Sequence, residues 1–272
     1  MKYVIDHDYH LHSYLSQCSS DPEQTVTRML AYAKEKGLGR IIVTDHFWDE
    51  SVPGASNWYR TYHKYTDISK NLPLPIDNEI EILFGCECEM DKNGVIGISG
   101  ERCADFDFII VPTTHMHMKG FTIDEADYCN PKRLARLWVE RFDALLGSDL
   151  PFRKVGIAHL TTACIAAENQ LHIDVIRLIP DSEMIRLFTR AGELGLGIEL
   201  NGADFYVSDE QLESVMRPYR IAKECGCKFY LGTDAHKPKE FKAYDNFAKV
   251  IDILDLTEDD KFVLSGVGKR GK

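Results

Sequence analysis

The chain has 272 residues, of which 44% are hydrophobic and 28% charged, a composition typical of a folded globular protein rather than a disordered one. Its formal net charge of −11 argues against long nucleic acid as a partner, because such binding depends on Lys and Arg side chains that neutralise phosphates. No apolar run approaches the ~18 residues that a membrane span needs, so we expect no membrane insertion.

The eight cysteines include no CxxC pair, and the opening segment MKYVIDHDYHLH carries acidic side chains that are foreign to a signal peptide. A disulfide framework is therefore not expected, and most of the cysteines are predicted to be reduced and buried. These features predict a cytoplasmic protein.

Short β-branched runs alternate along the chain with segments of helical periodicity. The runs predict seven strands, at 3–6, 40–44, 81–85, 107–112, 154–158, 196–200 and 228–232. A helix is predicted at 21–36, where Ser20 and Glu23 have the spacing of a capping box. Four more helices are predicted, at 131–146, 181–194, 209–224 and 240–254. This alternation indicates parallel β-α-β units, either closed into a barrel or left open as a doubly wound sheet.

No Ser-, Pro- or Gly-rich linker divides the chain, so we expect one domain over 1–272, with its core at about 1–255 and a C-terminal tail at 256–272. Two longer segments, 47–79 and 116–130, follow predicted strand ends, where α/β folds carry their functional loops. Their aromatic side chains are candidates for selecting the substrate: Trp48, Trp58, Tyr59, Tyr62 and Phe121.

Histidines are concentrated at the predicted strand ends. Six of the ten come at or just after a strand: His10, His12, His46, His115, His159 and His236. In a parallel barrel the C-terminal ends of all strands open onto one face, so these residues are expected to converge, together with Asp45, Glu87 and Asp234. Such a set of imidazoles and carboxylates is typical of a Zn²⁺, Mn²⁺ or Fe²⁺ site, whereas any one of the histidines alone would be explained equally well by a buried backbone contact.

Six motifs in chain order, DYHLHS, VTDH, GCE, TTH, IAHL and GTDAH, run from residue 8 to residue 236 and together resemble the polymerase and histidinol phosphatase (PHP) family. The resemblance implies an α/β fold, a distorted (β/α)7 barrel of the TIM type in a single domain, with its active site at the C-terminal ends of the strands. It also implies hydrolysis of phosphoesters at a centre of two or three divalent metal ions, here Zn, Mn or Fe.

The resemblance further implies that two of the metals share Glu87 as a bridge. The first metal would have four ligands: His10, His12, Glu87 and Asp234. The second would be held by the bridge together with His115 and His159. The residues expected to act most directly in catalysis are Glu87, Asp234, His236 and His117. His117 forms a second HxH pair with His115, and a contact to substrate or a role as proton donor are its candidate functions.

A third metal would be held by His46, His236 and the residue six positions after His12, which in this chain is Cys18. A thiolate binds Zn²⁺ well but suits Mn²⁺ poorly, so this site is expected either to select zinc or iron or to be weak. A plain packed cysteine is the alternative interpretation of Cys18.

Three divalent ions would make the pocket locally cationic, so an acidic protein could still bind a small anionic phosphoester there. We expect a metal-bridging hydroxide to attack phosphorus, because coordination lowers the pKa of water toward ~7. Four cations near strand-end loops are candidate phosphate contacts, although each taken singly is more typical of a solvated surface residue: Lys119, Arg133, Arg136 and Lys237.

The leading hypothesis is a phosphomonoesterase with L-histidinol phosphate as its substrate. A phosphoesterase acting on nucleotides or oligonucleotide ends is the alternative within the family. Hypotheses of other classes are a non-catalytic barrel that binds metal or a partner protein, and a metal-dependent amidohydrolase. The presence of all but one of the expected ligand types argues against the first of these, and Glu87 in place of a bridging lysine argues against the second.

Overall fold

The computed structural model describes residues 1–166 and 171–264 of the chain. In this part, eight strands form one sheet: β1 (His7–Leu11), β2 (Arg40–Val43), β3 (His46–Phe47), β4 (Glu81–Cys88), β5 (Phe108–Val111), β6 (Val155–Ile157), β7 (Gly197–Asn201) and β8 (Lys228–Gly232). The strands pair in parallel in the order β1-β2-β4-β5-β6-β7-β8, and the short β3 pairs with β4 beyond the end of β2. The backbone N–H of His12 donates to the carbonyl of Ala235 at 3.1 Å, which brings β1 against the end of β8. The sheet is thus a nearly closed barrel of seven parallel strands, as predicted.

The described helices are α1 (Val26–Lys36), α2 (Asn57–Tyr62), α3 (Tyr65–Ile68), α4 (Pro131–Leu146), α5 (Leu171–Leu178), α6 (Asp181–Leu194), α7 (Asp209–Glu224) and α8 (Phe247–Leu254). The predicted helices at 131–146, 181–194 and 209–224 are confirmed, whereas the one at 240–254 is a 3₁₀ helix, Pro238–Asn246, followed by α8. Among the described residues, every helix is too short or too polar to cross a membrane. All eight cysteines are free, and four of them are buried rather than most: Cys86, Cys88, Cys103 and Cys227.

The start of α1 differs from the prediction. The side chain of Thr25, not that of Ser20, caps this helix by accepting a hydrogen bond from the N–H of Arg28. Gly37 ends the helix with a φ of 69°, a left-handed conformation that glycine adopts without a steric cost. The helix is therefore shorter at its N-terminus than the apolar periodicity predicts.

The predicted first strand, 3–6, is wrong, because the chain joins the sheet only at His7. Asp8 lies opposite Ile41 and Leu11 opposite Val43, so β1 contains one residue more than β2 over this stretch. Such a bulge shifts the alternation of side chains between the two faces of a strand. Tyr9 packs in the barrel interior, and after the bulge His10 faces the interior as well.

Asp8 ties this bulge to β8. Its buried carboxylate accepts hydrogen bonds from the backbone N–H groups of His10 at 3.2 Å and Thr233 at 3.1 Å. It also accepts from the hydroxyl groups of Thr233 at 2.7 Å and Tyr32 at 3.0 Å. Burial raises the pKa of Asp8 to about 6 in spite of these hydrogen bonds. The contacts hold the end of β1 in place where the first two histidines emerge.

The barrel interior is filled by apolar and aromatic side chains that include Tyr9, Phe108 and Tyr230. Phe262 and Leu264, from the predicted C-terminal tail, are buried in the same cluster. The segment 256–264 therefore packs into the barrel as part of its core. The rest of the predicted tail, 265–272, lies outside the described residues.

Replacement of Phe262 by Ala is expected to lower the free energy of unfolding by about 3–5 kcal/mol, the usual cost of removing a buried aromatic ring. Val263 is 71% exposed, so Val263→Ala serves as the control and should change this free energy by less than about 0.5 kcal/mol. Urea unfolding of the two variants measures both quantities. Equal stabilities would contradict a core role for the segment.

Candidate metal centre

A single buried carboxylate lies at the centre of the strand-end cluster. Its oxygens come within 4 Å of a ring nitrogen in each of five histidines, and the shortest of these contacts is 2.8 Å. The carboxylate is that of Glu87 on β4, and the histidines are His10, His12, His46, His115 and His159. The structure thus brings together residues from β1, β3, β4 and the segments that follow β5 and β6.

Asp234 and His236 complete the cluster from the segment after β8. Oδ1 of Asp234 lies 3.3 Å from Nε2 of His10 and 3.2 Å from Nε2 of His12. Nε2 of His236 lies 3.5 Å from Nε2 of His46. The φ of Asp234 is 55°, a left-handed conformation that is uncommon for residues other than glycine and asparagine.

Two of the imidazoles are oriented by buried carboxylates. Nδ1 of His10 donates to Oε1 of Glu199 at 2.7 Å, and Nδ1 of His115 donates to Oε2 of Glu89 at 2.8 Å. This arrangement places a proton on Nδ1 and turns Nε2 of each ring toward the cluster. It is the usual way in which proteins orient histidines that bind metals.

Three further imidazoles are held at Nδ1 by uncharged groups. Nδ1 of His12 lies 3.1 Å from the hydroxyl of Ser16, and Nδ1 of His159 lies 2.9 Å from the hydroxyl of Thr114. Nδ1 of His236 donates to a backbone carbonyl at 2.9 Å. In all five rings, therefore, Nε2 is the nitrogen that is free to bind a ligand.

The shortest contacts within the cluster join atoms that can each bind a metal ion. Nδ1 of His46 and Oε2 of Glu87 lie 2.8 Å apart, and neither atom makes a hydrogen bond. Nε2 of His10 lies 3.0 Å from Nε2 of His12. Lone pairs at such distances repel each other unless a proton or a metal ion lies between them. The nitrogen and oxygen donors present are those that Zn²⁺, Mn²⁺ and Fe²⁺ prefer, so the residues fit such ions.

Three groups of ligand atoms are compact enough to hold an ion each, with all atoms of a group within 4.8 Å of one another. They are His10, His12 and Asp234; Glu87, His115 and His159; and His12, His46 and His236. The first two match the two sites implied by the sequence motifs. The third contains His12 where the motifs place Cys18.

Cys18 lines the same cavity but belongs to none of these three groups. Burial alone would raise the pKa of its thiol, yet the charge and hydrogen bonds of His46 and His236 lower it to about 6. At neutral pH Cys18 is therefore largely a thiolate that faces two of the imidazoles.

The two central carboxylates are ionised at neutral pH. Burial alone would raise the pKa of Glu87, but the charges of His46 and His10 hold it well below its usual range. The pKa of Asp234 is likewise far below normal, because the effects of His10, His12 and His236 outweigh burial. Both carboxylates are available as anionic ligands.

A cavity of about 430 Å³ opens beside the cluster. Among the described residues, its lining includes Trp58, Tyr59, Met118 and Cys164 but neither lysine nor arginine. Of the other aromatic candidates, Trp48 and Phe121 are buried behind Tyr59, and Tyr62 is exposed outside the cavity. An apolar wall therefore faces the candidate metal ligands.

His117 also lines the cavity, with its ring centroid 5.1 Å from that of His115. Burial and the neighbouring His115 lower its pKa to about 4, and its buried Nδ1 has no hydrogen-bond partner. The ring is therefore uncharged at neutral pH and can exchange one hydrogen bond with a bound molecule.

The predicted phosphate-binding cations lie outside this lining. Lys119 lies over the ring of Tyr128, 3.9 Å from its centroid. Arg133 is paired with Asp127 at 3.1 Å and with Glu140 at 2.7 Å.

The other two cations are placed differently. Arg136 lines a separate surface groove with Leu178. Lys237 follows His236 and is the residue before the 3₁₀ helix Pro238–Asn246. The structure brings none of the four to the described lining of the cavity.

Three buried charged residues beside the site are absent from the sequence prediction. Glu199 and Glu89 orient imidazoles, and Arg141 donates hydrogen bonds to four backbone carbonyls, including those of Met90 and Thr113. The sequence does contain hints of both glutamates. Glu199 interrupts the apolar run LGIEL, and Glu89 follows Glu87 by two residues, so that both side chains are on the same face of the strand. Arg141 lies in an ordinary amphipathic helix and has no such signal.

The PHP domain family matches residues 8–203 of the chain. A probable phosphatase of Thermoanaerobacter sp. (strain X514) is 28% identical over 265 residues, which cover 95% of this chain and 89% of that protein. A probable phosphatase of Caldicellulosiruptor saccharolyticus is 24% identical over 236 residues, which cover 86% of this chain and 83% of that protein.

Two solved structures share the fold. The histidinol phosphate phosphatase of Lactococcus lactis, in complex with zinc, L-histidinol and phosphate, superposes with a TM-score of 0.59 at 19% identity, over 93% of this chain and 94% of that one. The putative histidinol phosphatase of Listeria monocytogenes superposes with a TM-score of 0.60 at 14% identity, over 89% and 100%. Because the family matches more than half of the chain, from DYHLHS through IAHL, the chain belongs to the PHP domain family.

Proposed function

We propose that this protein is a phosphatase that acts through a single barrel domain and uses two or three divalent ions, Zn, Mn or Fe, to hydrolyse a small phosphomonoester. The predicted enzyme class, a hydrolase of phosphoric esters, is confirmed by the family and by relatives named as probable phosphatases. L-histidinol phosphate is the first substrate to test, because a structural neighbour was solved with L-histidinol and phosphate.

The observation that carries the proposal is the orientation of the imidazoles. Five rings are held at Nδ1, and their Nε2 atoms face one another or the two central carboxylates, Glu87 and Asp234. If these histidines and carboxylates had only a structural role, we would expect their buried polar atoms to be paired in hydrogen bonds. Here the ligand atoms instead form three groups, each with all its atoms within 4.8 Å of one another, a spacing that suits a metal ion.

We assign one ion to His10, His12, Asp234 and Glu87, and a second to His115, His159 and the bridging Glu87. A third would lie among His46, His236 and His12, with the Cys18 thiolate beside it. Ions bound there would lower the pKa of coordinated water toward ~7 and stabilise the negative charge that develops on phosphate oxygens.

The chain's own residues then bind and orient the ester. Because lysine and arginine are absent from the described lining of the cavity, the phosphate is expected to bind at the metal centre itself. His117 can exchange a hydrogen bond with the substrate from the cavity wall. Its low pKa favours this role over that of a general acid at neutral pH.

The apolar wall accounts for selection of the leaving group. Trp58 is half-buried and lies beside His46, with 6.1 Å between ring centroids. Together with Met118 it offers a flat apolar surface on which a planar ring can pack. The imidazole of L-histidinol phosphate suits this surface, and so does the base of a mononucleotide, which is the second candidate.

The direct test measures phosphate release from L-histidinol phosphate and from AMP, using protein whose bound metals have been counted. We expect release that is abolished by a chelator and restored by added metal. Glu87→Gln should lower both kcat/KM and metal content, the former by more than about 100-fold, since even groups outside the metal's ligands contribute 10–100-fold. Loss of both is expected because the amide cannot bridge two cations.

Glu81→Gln is the matched control, because Glu81 lies on the same strand but is exposed and paired with Arg40. It should leave activity and metal content unchanged. Release from AMP alone would favour the second candidate substrate. Metal-loaded protein that hydrolyses neither these esters nor a general panel of phosphomonoesters would contradict the proposal.

Cys18→Ser is expected to weaken the binding of one ion and leave the others unchanged, because the thiolate faces only His46 and His236. Cys164→Ser is the control: this thiol lines the same cavity, but burial raises its pKa to about 12 and keeps it neutral. Competition titrations of metal-free protein with Zn²⁺ compare the variants. Loss of every ion in Cys18→Ser would contradict the three-site assignment.

A further inference from the structure

A buried carboxylate beneath the metal centre has no part in the assignment above. Glu199 lies on β7, fully buried. Its Oε1 accepts from Nδ1 of His10 at 2.7 Å, and its Oε2 accepts from the backbone N–H of His159 at 2.7 Å. The side chain of Asn201 donates to the same Oε2 at 3.1 Å. Each oxygen thus binds a different candidate ligand.

The first of these hydrogen bonds fixes the orientation of the His10 imidazole. Rotation of the ring about its Cβ–Cγ bond would break the hydrogen bond to Glu199, and in the position that keeps this bond Nε2 lies 3.0 Å from Nε2 of His12 and 3.3 Å from Oδ1 of Asp234. A carboxylate at Nδ1 also makes Nε2 a stronger electron donor. Glu199 therefore acts on the first group of ligands.

The second hydrogen bond stabilises the backbone conformation of His159. The φ of this residue is 29°, outside the regions that residues with a β-carbon prefer, so neighbouring contacts must hold it there. Glu199 binds its N–H, and the hydroxyl of Thr114 donates to its carbonyl at 3.1 Å. In this conformation Nε2 of His159 lies 3.1 Å from Oε1 of Glu87, in the second group of ligands.

The surrounding backbone leaves room for Glu199 in this one position. A β-carbon on Gly232 of β8 would lie 2.0 Å from Oε1 of Glu199 and 2.6 Å from Cβ of His10. A glycine is therefore required where β8 passes the two side chains. A side chain at position 232 would therefore displace Glu199 or His10.

We propose that Glu199 is a positioning residue that sets the separation between the first and second metal sites, by holding His10 with one oxygen and His159 with the other. The proposal rests on the metal centre of the proposed function. Glu89 offers a natural comparison, because it is an equally buried glutamate that orients a ligand of the second group alone, His115.

The experiment titrates metal-free, full-length protein with Zn²⁺ against a chromophoric chelator and resolves the affinity of each ion. Glu199→Gln keeps the size of the side chain, but its NH₂ group would face one of two hydrogen-bond donors, Nδ1–H of His10 or the backbone N–H of His159. We expect it to weaken two ions by about 10–100-fold each, the usual effect of replacing such a carboxylate. Glu89→Gln should weaken one ion by a similar factor.

Asp204→Asn controls for the loss of a buried carboxylate near β7, because Asp204 binds Thr161 and Tyr219 and none of the candidate ligands. It should leave every affinity unchanged. Asn201→Ser removes one hydrogen bond to Glu199 and keeps a side chain that can cap the following 3₁₀ turn. It should weaken the same two ions by a smaller factor, and this result stands even if Glu199→Gln fails to fold.

Urea unfolding of the metal-free variants separates positioning from stability. Affinities that fall in proportion to stability across the four variants would overturn the proposal. So would Glu199→Gln affinities within about twofold of the parent protein, or a loss confined to one ion. If the parent protein itself binds no Zn²⁺, both this inference and the proposed function are wrong. If the parent binds two or three ions and Glu199→Gln binds them with affinities within about twofold of the parent, only this inference fails.

Discussion

Ring nitrogens of five histidines crowd around the buried carboxylate of Glu87, and neighbouring parts of the barrel serve to hold them there. Four of these rings are held at Nδ1 by a carboxylate or a hydroxyl group, whereas His46 faces Glu87 with its own Nδ1. A backbone carbonyl holds Nδ1 of a sixth ring, His236. The groups that hold these rings are buried polar groups whose own hydrogen-bonding capacity is used up in this way.

The backbone adapts to the same constraint. A bulge in β1 turns His10 toward the barrel interior, and Asp8 fixes the bulge against β8. His159 and Asp234 both have positive φ values where the chain leaves a strand. Two of the five described residues other than glycine that have a positive φ therefore carry candidate ligands.

Features with a local cause could be predicted from the sequence. Parallel strands that are buried on both faces appear in the sequence as apolar runs, so the parallel β-α-β units and the histidines at their strand ends could be predicted. The closure of the sheet into a barrel was predicted only from the resemblance of the motifs to the PHP family. The start of β1 could not be predicted, because a bulge depends on the register of the neighbouring strand. Glu199 acts on a residue 189 positions away, and no local pattern shows such a partner. Arg133 instead pairs with two acidic residues that are close in the sequence, Asp127 and Glu140, the second of which lies two turns further along α4.

Anomalous X-ray diffraction at the zinc, manganese and iron absorption edges, from crystals of metal-loaded protein, tests the central claim most directly. The account predicts two or three anomalous peaks, one of which lies at a ligand distance of about 2.0–2.2 Å from both a Glu87 oxygen and the Nε2 atoms of His115 and His159. A second should lie among His10, His12 and Asp234. A protein that is saturated with metal but shows no peak within ligand distance of Glu87 would contradict it.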